Sequence, residues 1–186
     1  MSFVGKVILC GSAGAGKTSI LARYVDGHFY EEYKQTLGAN FLIKEIDLTR
    51  IIDDIKIKDE SIKSSLKQKG IKLYLWDLCG QHDKLFANEY YFAQAVGALI
   101  VFSVDNTDSF SEIDFWVSKI KKLSGDIPYI VVGNKSDLTR EVDEETARNK
   151  SEDLGVKYIE TSAKLDENIE SAFEILSIEV INNLRI

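Results

Sequence analysis

The chain has 186 residues, 45% of them hydrophobic and 28% charged, with a formal net charge of −7. That size and balance suit one globular domain with a full core, and the acidic excess argues against unspecific binding to nucleic acid or anionic lipid as its main activity. Two cysteines, Cys10 and Cys79, cannot build a disulfide framework and point to a reducing compartment.

Taken in chain order, strand-like apolar runs fall at Val4 to Cys10, Leu37 to Leu48, Ile71 to Asp77, Ala98 to Val104, Tyr129 to Gly133 and Lys157 to Glu160. Helical patterns lie between and after them, around Thr18 to Val25, Phe86 to Gln94, Ser109 to Leu123, Asp143 to Leu154 and Asn168 to Leu184. Leu99-Ile100-Val101-Phe102 and Tyr129-Ile130-Val131-Val132 are continuously apolar, as strands covered on both faces must be. The alternation predicts an α/β fold: a doubly wound, mostly parallel six-stranded sheet with helices on both faces, in one domain over 1–186. One stretch, about 53–70, breaks the alternation; its lysines among acids and serines predict an extended, partly helical, solvent-exposed hairpin insertion.

In such a sheet ligands sit beyond the carboxyl ends of the strands, and each motif follows a strand. Gly11-Ser12-Ala13-Gly14-Ala15-Gly16-Lys17-Thr18 reads G-x-x-x-x-G-K-[ST] between a strand and a helix. Its backbone N–H groups can wrap phosphate oxygens at a helix N-terminus that opens with Lys17, Thr18 and Ser19. Lys17 neutralises terminal phosphates and the Thr18 hydroxyl can ligate Mg²⁺. Asp77, at the end of the third strand, can hold a metal-bound water; Gly80 supplies a backbone N–H for a γ-phosphate, and the Gln81 amide suits an attacking water. After the fifth strand comes Asn134-Lys135-Ser136-Asp137. One carboxylate, Asp137, can accept from both the ring N1–H and the exocyclic amine of guanine, a pairing adenine cannot make. Lys135 covers the base plane with its aliphatic stem, and Asn134 ties the loops together. In Thr161-Ser162-Ala163-Lys164 the Ala163 N–H can donate to the guanine carbonyl oxygen, with Ser162 and Lys164 beside it.

These four motifs in this order resemble the Ras superfamily of small GTPases. Thr36-Leu37-Gly38-Ala39-Asn40-Phe41, Lys72-Leu73-Tyr74-Leu75-Trp76-Asp77 and the pair Tyr90-Tyr91 resemble its Rab-like branch more closely. The resemblance implies a slow GTPase that cycles between GTP and GDP with Mg²⁺, and a metal set of Thr18, Thr36 and Asp77. It implies Phe29 edge-on to the guanine and Tyr33 closing over the phosphates. Switch I then spans Gly27 to Leu37 and switch II Gly80 to Tyr91, read by effectors, exchange factors and GTPase-activating proteins. Phe41, Trp76 and Tyr90 or Tyr91 resemble an effector-reading aromatic triad, with core packing as the alternative. Gln81, Lys17 and Gly80 are the implied catalytic residues. A role in vesicle or membrane trafficking is family analogy only.

The chain also departs from that pattern. Ala13 replaces a glycine or serine beside the γ-phosphate, Leu78-Cys79 replaces Thr-Ala, and His82-Asp83 replaces Glu-Arg. Gly27 to Thr36 holds no arginine to act in cis. These departures keep a second reading open, a hydrolysis-deficient module that stays GTP- or GDP-bound. Cys10 reads as strand packing, and Cys79 as packing or, less plainly, as a redox thiol. No signal pattern opens the chain, Ser2 stands where myristoylation needs glycine, and Asn183-Leu184-Arg185-Ile186 offers no cysteine to prenylate. The expectation is a cytoplasmic monomer without a lipid anchor or nucleic-acid partner.

Overall fold

The computed structural model describes residues 3–31, 36, 39–46, 51–57, 60–80 and 89–183. Six strands form one sheet: β1 (Phe3–Cys10), β2 (Ala39–Ile46), β3 (Ile71–Leu78), β4 (Ala95–Ser103), β5 (Tyr129–Asn134) and β6 (Tyr158–Thr161). Their spatial order is β2-β3-β1-β4-β5-β6; β2 runs antiparallel to β3, and every other pair is parallel. The helices are α1 (Lys17–Asp26), α2 (Glu60–Lys69), α3 (Thr107–Ser111), α4 (Ile113–Ser124), α5 (Glu144–Asp153) and α6 (Ile169–Asn183). The expected α/β architecture is the observed one.

Side chains that alternate along β1 go to opposite faces of the sheet. Val7 and Leu9 join one core with α1 and α6, whereas Ile8 and Cys10 join another with Phe92, Phe102, Trp116 and Ile120. Covered on both sides, β1, β4 and β5 are apolar almost throughout, as parallel strands in a doubly wound sheet must be. On the first face Tyr24 of α1 stacks on Phe173 of α6, ring centroids 3.8 Å apart and 8° from parallel. From β1 the chain runs to the β2–β3 pair on one side and then crosses to β4 on the other, so the strand order reverses at β1 and the crevice opens at its carboxyl end.

Three expectations need correction. Ser109 to Leu123 is not one helix: α3 ends and α4 begins at Glu112 (φ −80, ψ −3), whose carboxylate accepts from the Ser12 hydroxyl across the molecule. The Asn106 side chain caps α3 by accepting from Ser109 N at 2.8 Å. Of the helix expected over Phe86 to Gln94, the described part, Glu89–Tyr91, is a single 3-10 turn; residues 81–88 lie outside the described residues, as do both ends expected for β2.

The largest correction is the insertion. It does join the antiparallel β2–β3 pair and is partly helical, as expected, but it is not wholly solvent-exposed: the 3-10 turn (Ile52–Asp54), its flanks and α2 carry Ile51, Ile52, Ile55 and Leu66 into the α1–α6 core. Ile62 and Leu66, four apart on α2, share the face that packs there, while Lys67 faces solvent. Lys56 N donates to Asn182 Oδ1 at 2.7 Å, tying the insertion to the end of α6. The apolar spacing was present beneath the lysines.

Leu66→Ala is therefore expected to cost about 2–4 kcal/mol in urea unfolding, the range for a buried leucine. A change within about 0.5 kcal/mol, normal for exposed positions, would contradict this packing.

Candidate functional site

Between β1 and α1 the chain wraps through residues 11–16. Gly16 sits at φ +90, and a Cβ there would lie 2.2 Å from Asn134 Nδ2, so only glycine fits. The first turn of α1 has neither an acidic residue nor a side-chain cap, which leaves its N–H groups and positive dipole end free for an anion. Lys17 is 6% exposed, with Nζ donating to the Gly11 and Ser12 carbonyls at 2.8 Å each. Burial lowers its pKa from the ordinary lysine value, and the nearby Asp77 carboxylate works against that.

The three oxygen-bearing residues expected to hold Mg²⁺ meet at one point. Thr18 Oγ1 donates to Asp77 Oδ2 at 2.5 Å and lies 2.9 Å from Thr36 Oγ1, which is itself 3.3 Å from Asp77 Oδ2. Asp77 is wholly buried, and its Oδ1 has no hydrogen-bond partner. An orphaned carboxylate oxygen beside two hydroxyls is a set of hard oxygen donors that fits Mg²⁺ or its bound water. Among the described residues no group of three or more His, Cys, Asp and Glu could hold a metal. Such a site would lean on substrate phosphates, as Mg²⁺ sites often do. Desolvation raises the Asp77 pKa above the usual carboxylate value, only partly offset by the Thr18 hydroxyl, Lys17 and Thr36.

At the other end Asn134 joins three segments. Its Nδ2 donates to the Ala15 carbonyl at 2.9 Å; its Oδ1 accepts from Thr161 Oγ1 at 3.1 Å and from Ala163 N at 3.4 Å. Ser162 Oγ donates to Asp137 Oδ1 at 2.6 Å and accepts from Leu165 N at 3.0 Å, which orients the carboxylate. Lys135, at φ +65, lies across the loop with Nζ 3.7 Å from Asp105. These elements enclose a cleft of about 1050 Å³ running from Ala13 and Thr18 to Asp137 and Lys164.

Ala13, Gly14, Gly16, Lys17, Thr18, Ser19, Phe29, Thr36, Gly80, Asn134, Lys135, Asp137, Ala163 and Lys164 all line that cleft. Gly11, Ala15 and Ser162 are buried behind it. Tyr33 and Gln81 lie outside the described residues. Gly80 closes on the phosphate loop so tightly that a Cβ on it would sit 2.4 Å from Ala13 N. Cys79 lines the cleft yet is 3% exposed, which favours packing over a redox role; burial pushes the Cys10 thiol up to about 12. Some lining residues carry no motif, among them Tyr30, Leu42 and Leu138. Arg23 and Glu112, which brace the loops from behind, are equally silent in the sequence.

The aromatic residues form one surface group. Phe41 pairs with Trp76 at 4.9 Å and Trp76 with Tyr91 at 5.4 Å; Phe41 and Tyr90 are 44% and 63% exposed. They are not core. Tyr74, two residues before Trp76 and so on the same face of β3, adds a ring 5.7 Å from Phe41.

The model of the Ras family matches residues 6–182. The chain belongs to the Ras family. Ras-related protein RABD2a of Arabidopsis thaliana is 32% identical over 181 residues, spanning 96% of this chain and 80% of that protein. This Ras-family protein is thus Rab-like, and its membership supports guanine-nucleotide binding and GTP hydrolysis in general terms. Among its described residues no helix is long and apolar enough to cross a membrane.

The buried Asp77 charge has a measurable consequence. Because its native pKa is raised, the native state holds the proton more tightly than the unfolded chain. Stability therefore falls as pH rises from the ordinary carboxylate value through the raised one. Asp77→Asn is expected to melt higher than the wild type at pH 7, both free of nucleotide and Mg²⁺, with the gain vanishing in acid where Asp77 is protonated. A lower melting temperature for the variant at pH 7 would contradict this.

Proposed function

We propose that this Ras-family protein is a Mg²⁺-dependent GTP-binding switch that hydrolyses GTP to GDP slowly, built as one G domain over 1–186 with its insertion at about 53–70. The observation that carries the reading is the Asn134 side chain, bonded to the phosphate loop and to the last strand's loop at once. It supports one ligand reaching from Lys17 to Asp137. The phosphates lie against the N–H groups of Gly11, Ala13, Gly14, Ala15 and Gly16 and of Lys17, Thr18 and Ser19; Thr18, Thr36 and Asp77 would hold Mg²⁺. Bound there, the ion neutralises charge on the phosphates. Asp137, Ala163, Phe29 and Lys135 take the guanine, with Ser162 and Lys164 supporting the loop.

Phosphoryl transfer asks for position and charge rather than covalent catalysis by the protein. Lys17 supplies positive charge, the Gly80 N–H binds the γ-phosphate, and Gln81 orients the water. Tyr33 and Thr36 close switch I over the phosphates, while switch II follows from Gly80; the two regions present the effector, exchange-factor and activator surface together with Phe41, Trp76 and Tyr91. The protein acts as a monomer, and a place in membrane trafficking rests on analogy with the Rab-like branch.

With no arginine in cis, intrinsic single-turnover hydrolysis is expected on the order of 10⁻⁴ s⁻¹. A rate above about 10⁻² s⁻¹ for the isolated protein would overturn that. The second reading is a hydrolysis-deficient module, supported by the departures at Ala13 and Leu78-Cys79. Release of no phosphate over hours from protein carrying intact GTP would select this second reading.

Asp137→Asn tests the base assignment. Asparagine offers an N–H donor where xanthine has a carbonyl and guanine an amine. The variant is expected to lose GTP affinity by about 10²-fold or more and gain affinity for xanthosine triphosphate. Unchanged GTP binding would remove Asp137 from the site.

A further inference from the structure

Glu112 stands where α3 ends and α4 begins. A carboxylate in that place can turn onto the first N–H groups of its own helix, where the positive end of the dipole lies. Glu112 does not: α4 has no side-chain cap, and the carboxylate accepts instead from the Ser12 hydroxyl in the phosphate loop. Ser12 is buried and Glu112 half-buried, so a negative charge is held against the loop and partly out of water. The Ser12 carbonyl takes the Lys17 ammonium at 2.8 Å, which puts one serine between the carboxylate and the ammonium. Burial dominates at Lys17 and lowers its pKa, and Glu112 is among the neighbours whose charge opposes that.

Ser12 directly precedes Ala13, which lines the phosphate end of the cleft, while Asp137 lines the far end. The other carboxylate near Lys17, Asp77, sits with two hydroxyls in a set that fits Mg²⁺, so a bound ion would offset its charge. The bond from Ser12 to Glu112 comes from a neutral hydroxyl and takes up none of the carboxylate's charge.

We propose that Glu112 is a specificity-determining residue that acts by charge: its carboxylate, tied to the phosphate loop through Ser12, opposes each negative charge the loop receives and so biases the site toward GDP over GTP. The proposal rests on the reading given above that the phosphates lie against the loop. Repulsion grows with the charge on the ligand, and GTP carries one more negative charge than GDP, with or without Mg²⁺. Specificity is a difference of affinities, and a like charge set against one of two ligands creates it.

Equilibrium affinities of the full chain are measured in excess Mg²⁺ for GMP, GDP and the β,γ-imido analogue of GTP. Glu112→Gln keeps an acceptor for the Ser12 hydroxyl and removes the charge. It is expected to bind GDP and the GTP analogue more tightly, and to raise the affinity for the analogue relative to GDP by about three- to tenfold, the effect of one unit charge at a dielectric between those of protein and water. Ser12→Ala keeps the charge but releases it from the loop, and should move the same ratio in the same direction by less. An unchanged ratio in Glu112→Gln, an equal gain for both nucleotides or a loss of binding would overturn the inference. So would a shift in Ser12→Ala as large as that in Glu112→Gln, because the tie and not the charge would then set the preference. A wild type that holds GDP no better than GMP would instead remove the phosphate reading on which the inference stands. GDP binding by both variants reports that they are folded.

Discussion

The cleft depends on one side-chain amide. Asn134 spends its donor on the Ala15 carbonyl and its acceptor on Thr161 and Ala163, so the loop after β1, the end of β5 and the loop after β6 share one buried node. The node also dictates its surroundings: the backbone at residue 16 approaches the amide so closely that no side chain larger than hydrogen fits. Hydrogen bonds in a buried network strengthen one another and leave costly orphans when broken. The two ends of the cleft are thereby kept at a fixed separation.

Against that rigid frame, the corner formed by Lys17, Thr18, Thr36 and Asp77 carries stored electrostatic cost. Asp77 is buried with one oxygen unpaired, Lys17 is buried with its ammonium turned onto backbone carbonyls, and burial shifts each pKa toward its neutral form. Groups so placed gain by meeting a ligand of complementary charge, and a ligand that binds only the native state stabilises it by mass action. Stability is a readout of this one corner, whereas at the Asn134 end of the cleft the polar groups are already paired.

Much of this was legible in the chain. Apolar runs such as Leu99 to Phe102 announce buried strands because a strand covered on both faces admits nothing else, and motifs at strand ends announce the loops that bear them. The insertion was misread because its lysines are conspicuous and its Ile51, Ile52, Ile55 and Leu66 are spaced across a turn and a helix that no single period describes. The break at Glu112 follows from a partner 100 positions away, Ser12, and local propensity cannot contain it. Arg23 was invisible for the same reason: its acceptors are backbone carbonyls, which every residue has. Tyr33, named on resemblance, and Gln81, named for its amide, lie outside the described residues.

The Lys56–Asn182 bond and the shared core make the β2–β3 connection and the end of α6 neighbours although they are far apart in the chain. Segments packed this way open and close together rather than separately. The insertion thus makes the last turns of α6 part of one cooperative unit with the segment that joins β2 to β3.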